Sequence, residues 1–594
     1  MNLSEAFIRR PVMTTLLMLA VLGFGIFAFT RLPVSDLPNV DFPTLSVTAN
    51  LPGASPETMA SSVATVLERQ FTSIAGIDSM TSSSALGLTN ITIQFNLDRD
   101  LDAAALDVQS AITAAQKLLP RDLPNPPTYK KVNPADSPVI FLAVTSESLP
   151  LSEVNEYADT FIAQRLSTIA GVAQVNIFGP QKYAVRAQLD PRALASQGLG
   201  IDEVVGAMET GNVNLPTGTL HGPNEAANVQ ANGQLTDAAG FRRLVVAYRN
   251  GAPVRLEQLG NVIDSVENTR IASWFNSVRG IVLAIQKQPG SNTVAIVDGI
   301  RGLLPQIEGQ LPPAVKINVL SDKSVTIREA VHEVEFTLVL SIVLVVAVIF
   351  VFLRNVRATL IPSVAMPLSV VGTFMVMHVL DYSVDTFSLL ALTLAVGFVV
   401  DDAIVVLENI VRHIEEGETP MAASLRGARE IGFTILSMTL SLVAVFVPVL
   451  FMGGILGRLL REFAVVIAVA ILVSGFISLT LTPMLCARFL KAHGKGEHGW
   501  FYRVTERFFE GMRGVYERTL RAAMGQRVVV LLVAVASVAA TAWLFQTMPK
   551  GFVPNDDNGQ IFIMTEAAQG VSFEKMSELQ QRAAAVLKDK PYIE

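Results

Sequence analysis

Apolar and polar residues alternate along this chain in two rhythms. Seven stretches, 11–30, 336–353, 358–380, 387–407, 431–456, 463–487 and 528–548, are apolar almost throughout. About 20 such residues cross a hydrocarbon core ~30 Å thick, so each stretch predicts a membrane-spanning helix. Between the first two the pattern shortens and alternates with period 2 and then 3.6: strand 45–51, helix 56–71, strand 77–83, strand 90–96, helix 103–118, the proline-rich segment 120–127, and a strand near 128–132. That β-α-β-β-α-β order predicts a ferredoxin-like unit. A second unit begins with strand 139–145, helix 151–169 and strand 172–178, and its completing elements come only later, as strand 281–287, helix 293–311 and strand 316–320. The residues between, 179–280, are therefore expected to be an insertion that leaves and re-enters one sheet. Within it, 206–233 is rich in Gly, Asn and Pro and is expected as an exposed arm, either a flexible loop or, the favoured reading, a hairpin that packs on another subunit.

The resulting plan is a multi-pass α-helical membrane protein with a large α+β outer domain. It has a first membrane helix (1–32), one α+β unit (33–135), a second (136–178 with 281–330), the insertion (179–280), helices two to six (331–490), an interfacial helix (491–526), helix seven (527–548) and the start of a second outer region (549–594). Composition agrees: 51% of residues are hydrophobic, 16% are charged and the mean hydropathy is +0.45, outside the range of ordinary soluble domains.

Charge sets the expected orientation. Arg9 and Arg10 precede the first apolar run and no small-residue cleavage site follows it, so it reads as a retained anchor starting in the cytoplasm. Counting crossings puts 33–335 outside. It puts Arg354 and Arg357, Arg412, Arg426 and Arg429, and the basic stretch 488–527 inside. Arg458 and Arg461 fall outside, against the rule. The stretch 500–521 carries Phe501, Val504, Phe508, Met512 and Val515 on one face, which predicts a helix lying in the membrane surface. The only cysteine, Cys486, excludes a disulfide framework. The net charge of -7 is spread without a long block and argues against nucleic acid as a partner.

Pro33, Pro38, Asn39 and Asp41 after the first apolar run recur at constant offset as Pro549, Pro554, Asn555 and Asp557 after the seventh. Both runs enter from the same side, which predicts a parallel internal repeat, its second copy breaking off at Glu594, in a natural protein of about twelve spans.

The chemistry concentrates at Asp401 and Asp402, adjacent in the middle of the fourth run. A charged side chain at that depth costs about 2.5–3.5 kcal/mol, so two in succession need a purpose or a partner. Neighbouring carboxylates ~6–7 Å apart repel by about 2.5 kcal/mol at an effective dielectric of about 20, so both cannot stay ionised without a cation nearby. The pair reads as a proton relay; a static buried ion pair is the blander alternative. Gly397, one turn earlier, is expected to let a partner helix come close. Glu408, seven residues on and nearly on the face of Asp401, belongs either to an inner proton path or to the helix end as a cap. Six histidines, His221, His332, His378, His413, His493 and His498, make no metal-binding spacing, and the chain has no Walker loop, so neither a metal cofactor nor ATP is expected. Phe141, Phe178 and Phe275 read as core aromatics on strands, with a drug pocket as the alternative.

The segments FIRRPV, LPVSDLPNVDFP, PGASPETM, GFVVDDAIVVLENI and SLTLTPMLCA together resemble the resistance-nodulation-division (RND) efflux pumps, over essentially the full length. The double Asp resembles the hydrophobe/amphiphile branch, whereas heavy-metal exporters typically carry one Asp followed by a small residue. Met59, Met80 and Met208, far apart, weaken a copper or silver reading. DLPNPPTYKKVNPADSP and LREFAV look closest to paired multidrug subunits that form mixed trimers. The resemblance implies that the α+β units are porter subdomains, that 179–280 is a docking domain, and that its arm reaches into a neighbour. It also implies a homotrimer or mixed heterotrimer in the bacterial inner membrane, with a periplasmic adaptor and an outer-membrane channel as partners. The activity implied is proton-driven export of drugs, detergents and bile-salt-like amphiphiles, with Asp401 and Asp402 accepting protons, a lysine counter-ion in the second half, no cofactor and no bond made or broken. Two alternatives share the layout: a heavy-metal exporter, which needs clustered methionines, and a proton-driven protein-translocation subunit, which needs no docking insertion.

Overall fold

The computed structural model describes every residue except 1–2, 36–37, 39–42, 134–137, 250, 289, 354, 492–499, 550–560, 569, 589 and 591–594. Arg354, His493, His498 and five of the eight repeated residues, Asn39, Asp41, Pro554, Asn555 and Asp557, lie outside the described residues. Contacts divide the chain into two compact units. One comprises 1–135, 289–292 and 325–562, and the other 136–288, 293–324 and 563–594.

In the first unit four strands, β1 (Thr44–Asn50), β2 (Ile77–Ala85), β3 (Leu88–Phe95) and β4 (Thr128–Val132), form an antiparallel sheet in the order β2-β3-β1-β4. Alternation sets its buried face. Leu45, Val47 and Ala49 on β1 and Ile91, Ile93 and Phe95 on β3 point the same way. They pack on Met59, Val63, Leu67 and Phe71 of the consecutive helical segments Pro56–Thr58, Met59–Ala64 and Thr65–Phe71, and on Val108 and Ile112 of helix Leu101–Ala115. Asp100 starts the latter helix by accepting from the Ala103 N–H at 2.7 Å.

The second unit repeats this order with strands distant in sequence. Strands β5 (Ile140–Thr145) and β6 (Val172–Phe178) share a sheet with β14 (Val278–Lys287) and β15 (Lys316–Asp322); β14 pairs with both β5 and β6, and β15 with β5. The chain between β6 and β14 builds its own small core around Val204, Phe241, Leu256, Leu259 and Val262. In it β7 (Tyr183–Leu189) pairs with β12 (Gly260–Val266), and β8 (Asn214–His221) with β9 (Ala226–Asn232) as an antiparallel hairpin. Residues 206–233 thus hold the end of helix Ile201–Gly211 and this hairpin rather than an irregular loop. Phe178 is exposed, and Phe141 and Phe275 are partly buried, so none of the three joins the fully buried core.

Helix Lys323–Leu353 follows β15 without a break, whereas the apolar pattern alone places its start at 336. The helix start is capped by Asp322, whose carboxylate accepts from the Ser324 N–H at 2.8 Å and from Arg301 at 2.9 Å. Burial pushes this carboxyl up, and the bonds from Ser324 and Arg301 outweigh it, so it is held below the usual carboxylate range. A depressed folded value stabilises above the unfolded value of about 3.9, and that stability is lost as pH falls through the folded value. Asp322→Asn is therefore expected to lower the stability of the second unit by about 1 kcal/mol at neutral pH and to flatten its acid-side loss. Thermal unfolding as a function of pH measures both.

Among the described residues seven helices are long and apolar enough to cross a membrane: Pro11–Arg31, Lys323–Leu353, Val356–Val379, Thr386–Glu415, Pro420–Leu450, Leu456–Phe489 and Arg527–Thr547. They are called spans one to seven below. Spans three, four and six are the most buried and form the centre. Gly25 of span one sits where a Cβ would overlap the backbone and side chain of Val371 on span three, the close approach that small residues permit. Arg458, at the start of span six, donates to the Leu97 carbonyl and lies 3.8 Å from Asp98. A cation at odds with the charge rule thus ties a span to the loop after β3.

Two further features depart from expectation. Leu3–Arg9 forms a short separate helix, set off by Arg10 and Pro11, with Phe7 edge-on to Phe476. The strand expected at 561–565 is not formed: these residues take no regular structure, with Ile561, Phe562 and Met564 exposed. A strand needs a neighbour for its N–H and C=O groups, and the described residues offer it none. Helix Phe573–Lys588 follows it, and helix Trp500–Gly525 covers the stretch read as interfacial.

Candidate functional site

Span four owes its start to Asp385, whose carboxylate accepts from the N–H groups of Phe387 and Ser388 at 2.8 and 2.9 Å, while the Ser388 hydroxyl accepts from the Asp385 N–H at 2.9 Å. This reciprocal cap satisfies three backbone donors that the helix leaves free. The helix then runs unbroken to Glu415, with Asp401 and Asp402 midway along it.

Adjacent residues on a helix point about 100° apart, and here that rotation separates two environments. Asp402 is 1% exposed and faces spans five and six. Its Oδ2 lies 3.5 Å from the Thr439 hydroxyl of span five, which donates to the Ile435 carbonyl at 2.8 Å, and its Oδ1 has no hydrogen-bond partner among the described residues. Asp401 instead lines an open cavity of about 520 Å³ with Val345 of span two, Gly397, Phe398, Val400 and Ile404 of span four, and Met438, Ser441 and Leu442 of span five. Among the described residues neither carboxyl makes an ion pair.

The surroundings of Asp402 are polar beyond what the apolar runs suggest. Gly475 of span six lets Thr439 approach, since a Cβ there would come 2.8 Å from its hydroxyl. On the same face of span six, Ser474 donates to the Val399 carbonyl at 2.8 Å. Ser478 and Thr482 follow at successive turns with buried hydroxyls that have no partner. An unpaired buried polar group costs about 1–3 kcal/mol. These hydroxyls form a buried polar strip that runs from the level of Asp402 toward the Phe489 end.

Glu408 is exposed, about 10 Å along the helix from Asp401 and on its side. Gly397 differs from its expected role: it is exposed to the cavity, and a Cβ there would meet no atom within 4 Å. Positions 397, 401 and 404 share the face turned to the cavity, so the close helix packing in this region falls to Gly475 and to Gly427, against Ile410. His413, near the end of span four, is buried, with Nε2 2.9 Å from Glu430 of span five, in a cluster with Glu416 and Arg426. The sequence pattern does not reveal Thr439, Ser474, Ser478 or Thr482 as neighbours of the Asp pair. The signal was present as hydroxyl residues inside spans five and six, a composition that marks helix–helix contacts in membranes.

The family model of the AcrB/AcrD/AcrF family matches residues 3–594. The chain therefore belongs to the AcrB/AcrD/AcrF family, within the RND superfamily of transporters.

Proposed function

We propose that this chain works in a proton-driven exporter of hydrophobic and amphiphilic compounds, of the hydrophobe/amphiphile branch, in the bacterial inner membrane. The observation that carries the reading is the Asp402 carboxyl, shut away from solvent halfway along a span with an oxygen that has no partner. A proton satisfies such a group, and its departure leaves a charge that must find a new partner. Asp401, at the cavity, is the complementary exchange point, and Glu408 continues the path toward the cytoplasmic end. Alternation between the two states shifts span four against spans five and six. The shift passes to the outer domain through the segment after span one and through the unbroken helix of span two.

On this reading the two sheets are ferredoxin-like porter subdomains (33–135, and 136–178 with 281–330), and 179–280 is a docking domain. The hairpin of β8 and β9 is the arm that engages a neighbour in a homotrimer or a mixed heterotrimer. A periplasmic adaptor and an outer-membrane channel complete the export route. The residues around Asp401 and Asp402 supply no thiol or thioether cluster, which favours organic amphiphiles over soft metal ions.

Cells relying on this transporter are expected to hold an amphiphilic dye well below its level in cells lacking it. A protonophore should erase the difference, and depletion of ATP with the proton gradient maintained should not. Copper and silver tolerance should be the same in both strains. A dye difference that survives the protonophore, or a gain in metal tolerance alone, contradicts the proposal.

A further inference from the structure

Two carboxyl groups that the relay does not use meet at the opposite end of span four from Glu415. Asp385 is fully buried, Glu462 of span six is 7% exposed, and Ser383 holds both carboxyls, its hydroxyl donating to Asp385 at 2.7 Å and its N–H to Glu462 at 2.9 Å. Two buried carboxylates gathered on one serine offer only acceptors to each other and repel, which favours one proton held by the pair. The remaining hydrogen bonds say where it sits. Asp385 already accepts from the Phe387 and Ser388 N–H groups and from the Ser383 hydroxyl at 2.7 Å, at the positive end of a helix, which is the setting of an ionised carboxylate. Among the described residues Glu462 accepts from the Ser383 N–H alone, at 2.9 Å, which leaves it the better holder of a proton.

The same turn is joined to the chain leaving span one. Val384, between Ser383 and Asp385, donates its N–H to the Pro33 carbonyl at 2.9 Å and accepts from the Ser35 N–H at 3.2 Å. One proton thus holds together the start of span four, the start of span six and the segment that leads toward β1. Among the described residues the other ionisable groups against the pair are Tyr382, half-buried so that its phenol is pushed up and stays neutral, and Arg461, beside Glu462. Span two presents Val331 and Val334 to the neighbouring Thr386 and Leu389.

We propose that Asp385 and Glu462 form a proton-locked latch: closed while the pair holds its proton, and released when the proton leaves and two buried negative charges face each other. On the orientation proposed above the latch lies at the outer end of the spans and senses external pH. It is separate from the Asp401 and Asp402 relay, and its test needs no transport.

Infrared spectroscopy of the purified protein through a pH titration provides that test, together with hydrogen exchange at the amides of 383–388. A protonated-carboxyl band is expected that is lost as pH rises, is missing in Glu462→Gln and is retained in Asp402→Asn. Exchange protection of 383–388, corrected for the intrinsic pH dependence, should fall with rising pH in the native protein. It should stay constant in Glu462→Gln, whose amide donates to Asp385 without a titratable proton, and in Asp385→Asn, which keeps the helix cap. A band unchanged by Glu462→Gln, or protection that falls equally in all three proteins, overturns the latch. Export lost in Asp402→Asn with the band intact would leave both readings standing, and export retained there would remove the relay alone.

Discussion

Asp401→Asn and Asp402→Asn are each expected to abolish export while leaving the amount of protein in the membrane unchanged. The substitution is nearly isosteric. At 402 it keeps the contact with Thr439, and at 401 it keeps a polar group at the cavity wall. What it removes is the ability to alternate between a neutral and a charged state. A proton crossing ~150 mV releases about 3.5 kcal/mol, and each pH unit adds about 1.4. That energy sustains a substrate gradient of several hundred-fold or more, about tenfold for each 1.4 kcal/mol. Without coupling the gradient should fall to about one, read as intracellular dye equal to that of cells without the transporter. Export that persists in both variants at normal protein levels would sink the relay.

Gly475→Val is expected to produce the second large loss, by packing rather than by charge. A Cβ at 475 would press on the Thr439 hydroxyl and on its methyl group, at 2.8 and 3.1 Å, and a branched side chain has no room to turn away. Overpacking of this kind costs about 1–3 kcal/mol. Here it would also drive span five away from span six at the level of Asp402. Both a lower unfolding temperature and lost export should follow. Gly397→Ala provides the contrast on the opposite face. It adds a methyl group where no atom lies within 4 Å and relieves the entropy cost of glycine in a helix, so the purified chain should be unchanged or stabilised by up to about 1 kcal/mol. Equal destabilisation by the two substitutions would show that the packing described around Asp402 is wrong.

The parts of the fold that were legible in the sequence are those set by short-range pattern. Strands expected at 45–51, 77–83 and 90–96 are observed at Thr44–Asn50, Ile77–Ala85 and Leu88–Phe95, because alternation of Leu45, Val47 and Ala49 fixes both the period and the buried face. Length and apolarity likewise located all seven spans to within a turn or so at most ends. Span five starts at Pro420, well before the apolar limit at 431, and two other exceptions follow from local chemistry that hydropathy does not weigh. Helix two starts at Lys323 because Asp322 caps it, and span four runs on through the charged residues to Glu415, well past the apolar limit at 407.

The site was legible in one dimension only. Two acids in an apolar run stand out against any background, but which way each faces depends on helices brought together by packing. Thr439, Gly475 and Ser478 look unremarkable in their own spans and matter only because spans five and six close on span four. Asp385 and Glu462 sit just before apolar runs, where hydropathy gives no sign that they meet, although the Asp-x-x-Ser cap before span four is itself a sequence signal. Arg458 conflicts with the charge rule until Leu97 and Asp98 supply its partners.

The central claim is that the carboxyls of Asp401 and Asp402 carry the protons that drive export, and proton movement itself is the most direct readout. The complete transporter in sealed vesicles, with a pH indicator inside and a pH gradient imposed, should show a proton flux triggered by an amphiphilic substrate. That flux should be absent in Asp401→Asn and in Asp402→Asn. A substrate-triggered flux of native size in either variant would contradict the account.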